Sequence, residues 1–296
     1  MTKKKLFLIL LILGTAFWGI SFSVVKLVVG NFSASTFLFY RFLIATFVLS
    51  IIFFNRFKVT DWPSIKIGMG LSLPLMFGIW LQTLGIKYTA ASQCAFVAGM
   101  CVVIVPVLKI VMYKTFAPLK IWIAALIAIT GLFVISVRQN LSIGIGDIYV
   151  LTGAVGFAVY LIKVEQYSKS RNLVATIVPM FATCTLITGC FALTDAHANW
   201  MPDSDIFWIG VAYCALFSTA YMYTISNLSQ RYLSAEKVAL IYLFEPIFGA
   251  IAAFFVLSEV LTWQLFAGGL MIFIATLISE INIYQFARKK NTINIP

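Results

Sequence analysis

Tyr242-Leu243-Phe244-Glu245-Pro246-Ile247-Phe248-Gly249 sets a carboxylate and a proline side by side within an apolar run from Glu236 to Leu257, long enough to cross a bilayer as a helix. An ionised side chain at the centre of a membrane helix costs roughly 2.5–3.5 kcal/mol, so such groups face a protein interior or a wet cavity. Glu245 is therefore the first candidate for chemistry. Pro246 lacks an N–H and clashes with the preceding turn, which frees the Tyr242 carbonyl beside the carboxylate. The plainer account is a neutral or paired Glu245 and an ordinary membrane-helix kink at Pro246. A buried carboxylate can also take up and release a proton, which permits proton-coupled exchange, although a facilitator without a coupling ion would need the same residues.

Helical spacing sorts the other candidates, since positions three, four and seven apart share a face. Tyr242, Glu245 and Gly249 share one face; so do Tyr213, Phe217 and Tyr221, and likewise Gln93, Val97 and Met100. Trp18, Trp80 and Tyr160 are expected as aromatic walls, with Gln82, two positions from Trp80, pointing elsewhere. An aromatic cavity with one carboxylate suits an amine-containing or cationic substrate, through charge pairing and attraction to ring faces. Aromatic residues make up 16% of the chain, however, so packing, lipid contact or interface anchoring accounts for any single ring as readily. Arg41, near the outer end of its run, either meets a substrate carboxylate or pairs with backbone carbonyls and snorkels outward. Structural roles are expected for Lys26, Lys109 and Lys163. Glu165, two residues from Lys163, does not share its helix face.

The elements that carry these residues follow from composition. The 296 residues are 62% hydrophobic and 10% charged, with mean hydropathy +1.01, whereas soluble domains are about one quarter charged. This excludes a soluble globular protein and leaves room for about ten membrane helices. The net charge of +11 sits in short segments between apolar runs and reads as a topology signal, with no nucleic acid implied. Cys94, Cys101, Cys184, Cys190 and Cys214 lie in apolar runs without metal-ligand spacing. Lys3-Lys4-Lys5 and the apolar run after them imitate a signal peptide but lack a cleavage site, so a retained first helix is expected.

The ten predicted spans are Leu6 to Leu27, Ala34 to Phe54, Ile65 to Ile86, Ser92 to Met112, Leu119 to Ser136, Gly146 to Val164, Leu173 to Leu193, Phe207 to Leu228, Glu236 to Leu257 and Thr262 to Tyr284. Asp61-Trp62-Pro63, Ala117-Pro118 and Pro202-Asp203 signal helix starts. Lys3, Lys4, Lys5, Arg56, Lys58, Lys114, Lys169, Arg171, Arg231, Lys237, Arg288, Lys289 and Lys290 fall on one side of the membrane, the cytoplasmic side by the positive-inside rule. The other side carries Lys87 and Arg138 with Asp195, His197, Asp203, Asp205 and Glu259. Both termini are then cytoplasmic.

A weak repeat divides the chain into residues 1–140 and 141–296: Gly14-x3-Trp18-Gly19 against Gly153-x3-Phe157-Ala158, and Tyr88-Thr89-Ala90-Ala91 against Tyr232-Leu233-Ser234-Ala235. Five spans per half make the halves inverted repeats. Secondary transporters use that architecture with a midplane site between the halves.

Further motifs are Ala16-Phe17-Trp18-Gly19, Arg41, Gly85-Ile86-Lys87-Tyr88-Thr89-Ala90-Ala91-Ser92 before Ala95-Phe96, Val102-Val103-Ile104-Val105-Pro106, Gly146-Asp147, Glu245-Pro246, and Leu257-Ser258-Glu259-Val260-Leu261-Thr262. In this order the chain resembles the ten-helix EamA-type branch of the drug/metabolite transporter superfamily over nearly all its length. The resemblance implies an all-α integral membrane fold of two inverted five-helix repeats and transport of small metabolites, often amino acids or related amines, across a bacterial inner membrane. Similar proteins often carry a glutamate where this chain has Lys114, while Glu259 holds the corresponding place in the second half.

The first expectation is a secondary transporter, exporter, exchanger or facilitator, working by alternating access around a midplane cavity. Its substrate-binding candidates are Glu245, Tyr242, Tyr221, Trp18, Trp80, Gln93, Met100, Tyr160 and Arg41, with a small-molecule substrate, protons and membrane lipid as partners and no cofactor or metal. A Walker A loop is absent, since Gly144-Ile145-Gly146-Asp147 lacks the lysine and spacing. A lipid-modifying membrane enzyme would need a catalytic cluster, yet the chain holds one histidine, His197, in a loop, and no HExxH. A non-transporting scaffold or sensor would not require Glu245. Gly/Ala-rich helix faces suit packing within the chain and against a second copy equally.

Overall fold

The computed structural model describes residues 2–55, 60–89, 91–136, 144–169, 172–257 and 263–280. The regular elements among them are all helical: α1 (Lys3–Asn31), α2 (Ala34–Ile52), α3 (Trp62–Tyr88), α4 (Ala91–Gly99), α5 (Cys101–Tyr113), α6 (Leu119–Ser136), α7 (Ile145–Ser168), α8 (Val174–Thr194), α9 (Asp205–Tyr213), a π-helical stretch (Cys214–Tyr221), α10 (Met222–Ser229), α11 (Ala235–Tyr242), α12 (Glu245–Leu257) and α13 (Trp263–Glu280). Among the described residues, seven segments are long and apolar enough to cross a membrane, and shorter apolar helices lie at Leu119–Val134 and Phe266–Ser279. Residues 258–262, with Glu259 among them, lie outside the described residues, as do Arg56, Lys58, Arg138, Arg171 and everything after Glu280.

Local chemistry sets the helix starts. Asp61 accepts the Ser64 amide at 3.0 Å with Pro63 in the first turn of α3, and Ser33 accepts the Thr36 amide before α2. At α7, Asp147 reaches back to the Gly144 amide at 2.8 Å. Each satisfies a donor that a helix start leaves without an internal partner.

Two expected spans are broken. The fourth divides at Met100 into α4 and α5. The ninth divides at Leu243-Phe244, where the amides of Leu243 and Phe244 turn back to Leu240 and Ile241, three residues earlier. Pro246 has no N–H to return to Tyr242, so the helix ends and α12 restarts at Glu245. The eighth span is continuous from Asp205 to Ser229, but its middle two turns are π-helical.

Helices meet through small residues. A Cβ on Gly146 of α7 would lie 2.7 Å from the Gly85 carbonyl oxygen, and one on Gly153 would lie 2.9 Å from that of Gly78, so α3 and α7 pack backbone to backbone. The bundle has two distinct ends. At one, Phe7 stacks on Tyr232 and Arg231 reaches Asn172, among Lys3–Lys5, Lys114, Lys169 and Lys237. At the other, Asp195 accepts from Ser33 and Ser35 at 2.5 and 2.6 Å, and Asp147 accepts from Thr89 and Gln93 at 3.0 and 2.8 Å.

Candidate functional site

Residues of α1, α2, α3, α4, α5, α7, α10, α11 and α12 line a cavity of about 760 Å³, open mouth included, whose wall reaches Val25, Ile86 and Ala95 toward the acidic end. Trp18, Tyr223, Tyr242 and Phe157 supply its rings, Ser21, Gln82 and Thr83 its neutral polar groups, and Arg41 and Glu245 its ionisable groups.

The break in the ninth span builds the acidic side. It leaves Glu245 as the first residue of α12, where the partial positive charge of a helix N-terminus favours a carboxylate. Among the described residues no hydrogen bond or ion pair reaches that carboxylate. Tyr242, at the end of α11, shares a 2.6 Å hydrogen bond with Ser226 and meets the Trp18 ring edge-on at 4.8 Å. Trp18 meets Tyr223 at 5.3 Å in the same manner.

The π-helical stretch builds the basic side. Its wider winding loosens the regular ladder and offers the Ser218 carbonyl to the Trp18 indole N–H at 2.7 Å. The hydroxyls beside it hold Arg41, whose Nε donates to Thr219 at 2.6 Å and whose Nη2 donates to Ser218 at 3.3 Å. Arg41 is 6% exposed and has no carboxylate partner among the described residues. Tyr223 lines the same cavity as Arg41 and Glu245. The cavity thus presents an acidic and a basic side chain together with aromatic rings, groups able to meet cations, anions and ring faces.

Of the residues singled out from sequence, Glu245, Tyr242, Trp18 and Arg41 meet on this wall. The other five lie off it. Tyr221 donates to the Leu10 carbonyl and packs on Phe17, Trp80 packs against Phe191, Gln93 donates to Asp147, Met100 sits at the α4–α5 break, and Tyr160 is buried behind Tyr223 with its hydroxyl on Asn227. Gln82, rather than Trp80, turns inward. Sequence reasoning passed over Tyr223 and the pair Ser218-Thr219. A hydroxyl pair inside one apolar run, with an arginine inside another, was the available signal.

The sequence profile of the EamA-like transporter family matches residues 5–137 and again 144–280. The chain belongs to the EamA-like transporter family. Membership in the drug/metabolite transporter superfamily follows. An uncharacterized transporter of Archaeoglobus fulgidus is 26% identical over 266 residues, covering 90% of this chain and 83% of its own. The uncharacterized transporter YyaM of Bacillus subtilis is 23% identical over 286 residues, covering 91% and 92%. A protein known by its crystal structure shares the fold with a TM-score of 0.73 at 13% identity, covering 94% of this chain and 96% of that one. This EamA-like chain is thus a multi-pass helical membrane protein of a transporter family, and its cavity is the candidate site of that activity.

Proposed function

We propose that this chain is a secondary transporter, not an enzyme, moving an amino acid or related amine-bearing metabolite by alternating access. The observation that carries the reading is the presence, in one cavity lining, of Glu245 and Arg41, an acidic and a basic side chain that lack ionic partners among the described residues. A zwitterion would satisfy both: its ammonium group against Glu245 and the aromatic rings of Trp18, Tyr223 and Tyr242, its carboxylate against Arg41. Glu245 would also serve as the proton carrier if exchange is proton-coupled.

Ten membrane-crossing units in two inverted repeats, residues 1–140 and 141–296, complete the proposal. The units are α1, α2, α3, α4–α5 and α6, then α7, α8, α9–α10, α11–α12 and α13. Packing supports this pairing. Exchanging the two sets turns the contact of α1 with α12 into that of α7 with α5, and the contact of α3 with α7 into that of α9–α10 with α1; the pairs α2–α8 and α6–α13 map onto themselves. The break within α4–α5 answers the break within α11–α12. We assign the basic end, with both termini, to the cytoplasm of a bacterial inner membrane, because lysine and arginine collect there.

Counterflow of labelled amino acids and amines in liposomes, comparing wild type with Glu245→Gln, tests the reading. Uptake of a zwitterion by the wild type and its loss in the variant is the expected result. Wild-type liposomes that exchange no amine-bearing solute, or a variant with unchanged uptake, would remove it.

A further inference from the structure

Lys109 of α5 lies between two carboxylates, Glu165 of α7 and Glu236 of α11, the latter at 2.8 Å. Glu165 also accepts the Ala235 amide at the start of α11, at 3.1 Å. Three helices are thereby tied at one level, toward the basic end. Lys109 and Glu236 line a hollow at that end with Lys120, Lys237, Thr115 and Ser234, while α11 reaches the central cavity one turn on, at Ala239.

α10, which lends Tyr223 to the cavity wall, carries a polar stripe that continues past its end to Gln230. Tyr223 on the cavity wall is followed, four and seven positions on, by Asn227 and Gln230, which are 0% and 2% exposed. Asn227 Nδ2 and both side-chain heteroatoms of Gln230 have no hydrogen-bond partner among the described residues. Buried donors and acceptors without partners are costly, so a conformation that opens the stripe to polar contact would recover that cost. A chain of contacts joins the stripe to the ions: Ser168 donates to the carbonyls of Gln230 and Glu165, and Glu165 meets Lys109.

We propose that this stripe is the closed second mouth of the central cavity and that the Lys109–Glu165–Glu236 triad is its gate. The inference rests on the transport reading, because alternating access requires a mouth at each end. It also states the chemistry of passage. When Lys109 withdraws, Glu236 and Glu165, the latter still 3.8 Å from Lys169, are left facing the exit, and the ammonium of an amine-bearing solute takes the place of the Lys109 ammonium.

The test needs no substrate. Gln230→Cys, in a Cys190→Ser background that removes the exposed thiol, is reconstituted and exposed to a membrane-impermeant maleimide from either face. Labelling is expected to be slow with the triad intact and at least tenfold faster with Lys109→Met, from the basic-end face alone. Where Lys109→Met does not fold, Glu165→Gln keeps the Lys109–Glu236 pair and takes its place. An unchanged rate in a variant that retains its melting transition, or acceleration from the opposite face, overturns the proposal. Gated labelling in liposomes that show no solute counterflow would retain the second mouth and discard the transport reading.

Discussion

A Cβ placed on Gly19 would lie 2.6 Å from the carbonyl oxygen of Glu245. The same Cβ would lie 2.6 Å from the Gly249 amide nitrogen, so α1 meets the first turn of α12 with no side chain between them. The position of Glu245 thus depends on the absence of a methyl group one residue beyond Trp18. The reverse relation is looser: a Cβ on Gly249 meets Gly19 at 3.4 Å, an ordinary contact.

This asymmetry predicts different outcomes at two facing glycines. Gly19→Ala forces backbone apart and is expected to cost about 1–3 kcal/mol, as overpacking does, and to lower transport by displacing Glu245. Gly249→Ala is expected to melt within about 1 kcal/mol of wild type, near the scale of a tolerated packing change. Thermal unfolding in detergent and counterflow on both variants check the pair. Equal costs would mean that the contact at Gly19 does not control α12.

Arg41 is held by hydroxyls, which makes its fork the property to test. Lysine at this position keeps the charge but cannot donate to Thr219 and Ser218 in one plane while facing a carboxylate. Arg41→Lys is therefore expected to raise the half-saturating concentration of a zwitterionic solute about tenfold, equivalent to about 1.4 kcal/mol of binding, while leaving a purely cationic amine less affected. Counterflow titrations with an amino acid and its decarboxylated amine distinguish the two. An equal effect on both solutes would remove Arg41 from carboxylate recognition.

The span pattern was legible because hydropathy and start signals act locally: the fifth run, Leu119 to Ser136, coincides with α6, and Asp61-Trp62-Pro63 does open α3. What depends on winding was not. A regular 3.6-residue period groups Tyr213, Phe217 and Tyr221, and those rings gather on Phe17 of α1; the π-helical turns between Cys214 and Tyr221 carry Tyr223 round to the cavity instead. The partner of Glu165 was equally hidden. Comparison with Lys163, its near neighbour in sequence, could not reveal Lys109, which only the packing of α5 on α7 brings to it.

The acidic end holds a contact that pH can break. Hydrogen bonds from Ser33 and Ser35, with the His197 amide, hold the Asp195 carboxyl down from its ordinary 3.8 to about 2. A depressed carboxyl contributes its stability in full above the unfolded value of 3.8 and loses it as pH falls toward about 2. Wild type is therefore expected to lose melting temperature over this window relative to Asp195→Asn, and to exceed the variant above it. Because the group is half-buried and still screened by solvent, the difference at neutral pH should be modest, about 0.5–1.5 kcal/mol, the net scale of a hydrogen bond. Parallel melting curves for the two proteins down to about pH 3, inside the window in which the carboxyl protonates, would remove Asp195 as the cause.

Lys26 and Glu165 occupy matching places when Gly14 is aligned with Gly153, and each serves the connection that the repeat assigns to it. Lys26 donates to the carbonyls of Ile86, Lys87 and Thr89 at 2.6, 3.3 and 2.9 Å, at the end of α3; Glu165 accepts the first amide of α11. A cation meets a helix C-terminus and an anion meets a helix N-terminus, as the partial charges of helix ends require. Removing the ammonium while keeping the apolar stem strands those carbonyls in a part-buried site. Lys26→Met is expected to cost about 1–3 kcal/mol, a fall in melting temperature of several degrees, while Lys26→Arg, which keeps the charge and the donors, should recover more than half of it. If Lys26→Met melted with wild type, the carbonyls at the end of α3 would have to be satisfied without this cation, and the correspondence with Glu165 would lose its electrostatic basis.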